Sequence, residues 1–89
     1  MAGRSAVIMY YTYVLKSEKD NKHYIGFCHG LRRRLKEHNE GVVEATKSRR
    51  PLTLVYYEAC LDEKKAVERE KYFKTGFGRR YLKNRIERP

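Results

Sequence analysis

Apolar and polar positions alternate along three short stretches of this chain and recur at helical spacing along three others. Ala6 to Lys16 is rich in β-branched and aromatic residues and predicts a strand with Tyr11, Tyr13 and Leu15 on one face. Lys19-Asp20-Asn21-Lys22 reads as a turn and His23 to Cys28 as a returning strand, so the pair predicts a hairpin. Gly30 to Asn39 carries helical spacing, with Leu31, Leu35 and His38 along one stripe and Gly41 placed to end it. Residues 42–51 form a basic loop closed by Pro51. Leu52 to Cys60 predicts a third strand, with Leu52, Leu54 and Tyr56 opposite Val55, Tyr57 and Ala59. Asp62 is placed to cap a helix from Glu63 to Thr75, Gly76 and Gly78 break it, and Arg79 to Glu87 predicts a last short helix.

The order ββαβαα implies an α+β fold, a small three-stranded antiparallel sheet flanked by helices. Residues 6–89 are expected to form a single domain behind a disordered terminus at residues 1–5. The apolar stretch Ala6 to Leu15 is too short to span a membrane. With 89 residues the core is small, and Cys28 and Cys60 alone make no disulfide framework. With no secretory apolar segment ahead of them, a cytoplasmic, thiol-reduced protein is the expectation.

Charge sharpens the picture. Lys and Arg number 21 against 11 Asp and Glu, a formal net charge of +10. The excess is clustered at Arg32-Arg33-Arg34 with Lys36, at Lys47 with Arg49-Arg50, and at Arg79-Arg80 with Lys83 and Arg85. Clusters in three separate segments point to a polyanion, nucleic acid first among them, without separating DNA from RNA.

Glu70 stands out against the helical pattern. Ala66, Glu70, Phe73 and Phe77 share one stripe, and a carboxylate there loses water unless something replaces it. It either meets a cation in a structural ion pair, such as a basic residue of the first helix, or lies at the floor of a polar cleft. Arg34 shares a face with Leu31, Leu35 and His38, so it leans toward the sheet while Arg32, Arg33 and Lys36 face solvent. A guanidinium held there suits the oxygens of a phosphate, or else a backbone carbonyl. His38 either exchanges a proton or closes the edge of the core. Among eight tyrosines, Tyr13 and Tyr24 sit on hairpin strands whose shared face could carry both hydroxyls. Gly26 lies on that face too, and marks either a close approach or a bulge.

Together these positions resemble the GIY-YIG nuclease family, over about Tyr10 to Arg85. Tyr24-Ile25-Gly26 matches the second family motif letter for letter, while Tyr11-Thr12-Tyr13 keeps only the tyrosine of the first. Leu31 to Asn39 is similar to the arginine helix, and Glu70-Lys71-Tyr72-Phe73-Lys74 to the segment of the metal-binding glutamate. Arg49-Arg50-Pro51 and Gly78 to Leu82 are similar to the small stand-alone members. Phe27 stands where several family enzymes carry a lysine, and Asn84 aligns loosely with a late asparagine.

The resemblance implies an endonuclease hydrolysing phosphodiester bonds, DNA before RNA, in repair or recombination. Its site would comprise Tyr13, Tyr24, Arg34, His38 and Glu70, with Glu70 holding one Mg²⁺ or Mn²⁺. Arg32, Arg33, Lys36, Lys47, Arg49, Arg50, Lys74, Arg79 and Arg80 would grip flanking phosphates. Specificity would come from a homodimer or a protein partner. The alternative is a catalytically weak binding module of the same fold, which Phe27 suggests. A zinc-binding interaction domain built on Cys28, His29, Cys60 and a further histidine lacks the paired spacing of a structural site.

Overall fold

The computed structural model describes residues 7–87, so the expected disordered terminus at residues 1–5 lies outside the described residues. The elements are β1 (Tyr10–Ser17), β2 (His23–Cys28), α1 (Leu31–Glu40), a single 3₁₀ turn (Lys47–Arg49), β3 (Leu52–Cys60), α2 (Glu63–Phe73) and α3 (Gly76–Ile86). The strands pair antiparallel in the order β2-β1-β3, giving the α+β ββαβαα fold that the pattern predicts. Among the described residues, no helix is long and apolar enough to cross a membrane.

β1 is the central strand and the most buried. It begins at Tyr10, because the neighbouring strands run out there: Cys60 pairs with Tyr10 and Cys28 with Tyr11, while Ala6 of the expected span lies outside the described residues. Val7 and Ile8, left without partners in the sheet, stay exposed. At the other end, the Ser17 hydroxyl accepts from the amides of Lys19 and Asp20 and donates to the Arg49 carbonyl, fixing the hairpin turn to the basic loop.

Alternation along β1 divides the core into two leaves. Tyr13 and Leu15 face α1 and pack with Leu31, Leu35, Leu52 and Leu54. Val14 faces the other way, against Phe73 of α2 and Leu82 of α3. Each fully buried side chain of this size contributes roughly 1.5–3 kcal/mol. β3 departs from its simple alternation. Its register against β1 jumps from Val14↔Tyr56 to Leu15↔Leu54, leaving Val55 as an unpaired bulge. Leu54 therefore joins the α1 leaf while Tyr56 turns to Phe73 and Tyr81, so the expected single face for Leu52, Leu54 and Tyr56 is broken.

The helices follow local signals. Gly41, at φ +82°, ends α1, with its amide on the His38 carbonyl. Asp62 caps α2 by accepting from the Lys64 amide at 2.9 Å. Gly76 and Gly78, expected to break the chain, are instead the first turn of α3, capped by the Thr75 hydroxyl accepting from the Gly78 amide. A side chain at Gly78 would run into the Tyr72 carbonyl, so glycine lets α3 fold tightly back on α2. That turn points Phe77 outward, 74% exposed, and removes it from the predicted buried stripe. Arg69 ties this layer to β3. Its guanidinium donates twice to Glu58, at 2.8 and 3.1 Å, and lies over the rings of Phe73 and Tyr81.

Candidate active site

Register across the hairpin creates the site. Tyr13 pairs with Gly26, and the phenol lies across the glycine: a Cβ there would stand 2.7 Å from the Tyr13 hydroxyl oxygen. The ring thus reaches over β2 to α1, where its hydroxyl stands 2.8 Å from His38 Nε2. His38 Nδ1 in turn lies 2.7 Å from the hydroxyl of Thr46, in the basic loop. Tyr13, His38 and Thr46 are 1%, 0% and 0% exposed, so three elements are joined by a buried chain of polar groups.

The chain is satisfied with His38 neutral. Either Tyr13 donates to Nε2 while Nδ1–H donates to Thr46, or Thr46 donates to Nδ1 while Nε2–H donates to Tyr13. Burial, reinforced by the Arg34 cation, holds the His38 pKa down to about 4. Burial likewise raises the Tyr13 pKa to about 12, against the opposing pull of Arg34. Neither group ionises near neutrality. Thr46 carries no helical or strand spacing in the sequence, and only its contact with His38 marks it.

Arg34 projects from α1 beside the Tyr13 hydroxyl, which, together with Glu37, stabilises its charge. Its Nη1 stands 3.1 Å from Glu37 Oε1, and its side chain remains 37% exposed. Glu37, concealed in a charge-rich helix, is a second member that the sequence did not single out. Tyr24 packs edge-on to the His38 ring, with centroids 5.1 Å apart. None of the described hydrogen bonds takes up the Tyr24 hydroxyl, and no buried polar side-chain atom among the described residues lacks a partner. That hydroxyl therefore reaches solvent.

Glu70 does not join this group. α2 packs on the opposite face of the sheet, where Thr12 donates to the Ala66 carbonyl. Arg69 points to β3, where it pairs with Glu58. The partner of Glu70 is Lys74 of its own helix, at 3.2 Å, where a basic residue of the first helix had been one expectation. The Lys74 side chain is 55% exposed but that of Glu70 only 19%, so the ammonium end of the pair is the one that reaches solvent. No group of three His, Cys, Asp or Glu among the described residues could hold a metal by itself. A lone carboxylate does suit Mg²⁺ or Mn²⁺, which keep waters and take phosphate oxygens as further ligands. Cys28 and Cys60 are free and lie on the two outer strands, paired with Tyr11 and Tyr10, so they form no common zinc site.

The expected phosphate-gripping residues divide. Arg32, Lys47, Arg79 and Arg80 are free of ion pairs among the described residues, while Arg33 and Lys36 make long surface pairs with Glu37 and Glu40. Arg50 donates to the Lys47 carbonyl, and Lys74 holds Glu70. Arg49 bridges Asp20 at 3.5 Å and the His23 carbonyl at 3.4 Å, with its side chain 23% exposed, and so braces the loop against the hairpin. Asn84 is exposed on α3, on the face away from Tyr13, in none of the described hydrogen bonds.

The model of the GIY-YIG catalytic domain matches residues 9–84. The chain belongs to this family. It is 39% identical over 66 residues to the UPF0213 protein YazA of Bacillus subtilis, covering 73% of this chain and 66% of that one. A UPF0213 protein of Staphylococcus haemolyticus is 38% identical over 79 residues, covering 88% of this chain and 94% of its own. The solution structure of a UPF0213 protein from Bacillus halodurans superposes with a TM-score of 0.57 at 26% identity, covering 92% of this chain and 89% of that one. The GIY-YIG motifs thus fall on the hairpin: Tyr13 and Tyr24 of the two motifs share one sheet face, and Gly26 makes room for the first phenol.

Proposed function

We propose that this GIY-YIG protein is a divalent-metal-dependent endonuclease that hydrolyses phosphodiester bonds of nucleic acid, with DNA the favoured substrate. The observation that carries the reading is the buried Tyr13–His38–Thr46 chain, set beside an exposed Arg34 and a solvent-facing Tyr24 hydroxyl. A purely architectural core has no need of three linked polar groups, since apolar residues of the same shape serve as well.

The parts divide the work. Arg34 grips the phosphate with its planar fork and braces the charge that grows as water adds to phosphorus. Tyr24 hydrogen-bonds the attacking water and orients it in line with the departing oxygen. Tyr13, with almost no surface of its own, positions Arg34 and seats the His38 ring against which Tyr24 packs. Glu70 would hold the divalent ion, which when bound supplies charge neutralisation at the phosphate and at the leaving 3′-oxygen. A strand laid along the open edge of β2 would pass both the Arg34 side and the α2 side of the sheet. The basic residues of α1 and α3 add contacts to flanking phosphates without reading sequence.

Incubation of the protein with labelled duplex, single-stranded and branched DNA and with RNA, in Mg²⁺ or Mn²⁺, tests the proposal. Wild type should cut at least one substrate, and Glu70→Ala and Arg34→Ala should not, while Glu70→Ala keeps its affinity. Binding without cutting by wild type throughout would favour the module that only binds.

A further inference from the structure

We infer that the cleft between β2 and α3 is a nucleotide subsite, which receives the base and phosphate of one nucleotide of the substrate strand beside the cleavage centre. The inference rests on the nuclease reading for its biological meaning and on the cleft itself for its chemistry. The cleft encloses about 620 Å³. That lies within the roughly 300–1,000 Å³ of sites for small organic ligands. Ile25 and Leu82 form an apolar floor, and Lys22, Lys74, Arg79 and Lys83 stand around it, against the single carboxylate of Glu87.

Folding does not account for that collection of cations. Arg79 and Lys83 are one turn apart on α3, an arrangement of like charges that costs a helix a few tenths of a kcal/mol. Among the described residues, Lys22, Arg79 and Lys83 have no carboxylate within ion-pair distance. An apolar floor under a cationic rim matches a flat base carrying a phosphate better than a phosphate alone. The cleft is also contiguous with the proposed centre. Tyr24 forms part of its wall and packs on His38, and Lys74 is the ion-pair partner of Glu70. A strand crossing the β2 edge would pass from the Arg34 side into the cleft.

The test is a titration of the ¹⁵N-labelled full chain with thymidine 5′-monophosphate and, separately, with inorganic phosphate, followed by amide chemical shifts. The nucleotide should move the amides of Ile25, Arg79 and Lys83 and bind several-fold tighter than phosphate. The exposed-surface double variant Arg79→Ala/Lys83→Ala should keep a folded spectrum and weaken nucleotide binding about tenfold, the scale of lost phosphate contacts. Equal affinity for phosphate and nucleotide, or shifts scattered away from the cleft, overturns the subsite. Arg34→Ala separates the two proposals: it should abolish cleavage and leave the nucleotide shifts intact. Cleavage that depends on Arg34 with unmoved cleft amides removes the subsite alone, whereas moved amides without any cleavage support the subsite and remove the nuclease.

Discussion

Gly26 has no room for a side chain because the Tyr13 hydroxyl oxygen lies only 2.7 Å from where its Cβ would stand. The phenol is the end of a side chain, yet it is not free to swing, being fully buried and linked to His38 at 2.8 Å. The glycine of the second motif is therefore a condition for the tyrosine of the first. Gly26→Ala is expected to push the ring off His38, destabilise the fold by roughly 1–3 kcal/mol, and lower cleavage more than its effect on unfolding explains. Thermal unfolding and single-turnover cleavage measured on one preparation check this.

Thr46 is the far end of the buried chain. In Thr46→Val the shape is kept but His38 Nδ1 loses its partner, at a cost of about 1–3 kcal/mol. Thr46→Ser restores a hydroxyl and should recover both stability and turnover. Recovery by serine separates hydrogen bonding from simple packing, and a denaturant titration of the three proteins reads it.

His38 and Tyr13 contribute to the pH dependence of stability, beside the carboxyls of Asp20 and Glu58, which are held low, and the Cys28 thiol and Tyr56 phenol, which burial pushes up. His38 has a folded pKa of about 4 against 6.5 for an ordinary histidine, so the unfolded chain binds its proton first. Its contribution is fully present above pH 6.5 and is lost as pH falls toward 4, about 3 kcal/mol in all. Tyr13, raised from 10.0 to about 12, has the opposite sense: its contribution is complete below pH 10.0 and is lost as pH rises toward 12. Unfolding free energy should therefore fall on both sides of a plateau, and His38→Gln should flatten the acid limb.

The junction of α2 and α3 depends on Gly78, because a side chain there meets the Tyr72 carbonyl. Gly78→Ala is expected to cost about 2 kcal/mol or more, near 10 °C in Tm for a domain of this size. Calorimetry checks it.

Much of this architecture can be read from residue order. The spans His23–Cys28 and Leu52–Cys60 are strands as the alternation predicts, and Gly41 and Asp62 end and begin helices as their conformational preferences dictate. Those signals are local. The Val55 bulge arises from pairing with β1, so no alternation within β3 could announce it. Gly76 and Gly78 read as breakers by propensity, whereas the role of Gly78 is close packing against α2, which depends on contact. At the site, Arg34 and His38 were visible as polar residues on an apolar stripe. Thr46 was not, since a loop has no stripe to interrupt. Helical spacing marks Glu70 as a carboxylate on an apolar stripe, but it does not reveal which face of the sheet a helix covers.

The most direct test of the proposed centre compares Tyr24→Phe with Tyr13→Phe in single-turnover cleavage, with affinity and unfolding measured alongside. Tyr24→Phe should lose about 10²–10⁴-fold in rate with stability and affinity unchanged, while Tyr13→Phe should lose both rate and stability. Wild-type cleavage by Tyr24→Phe would contradict the assignment of that solvent-facing phenol to the attacking water.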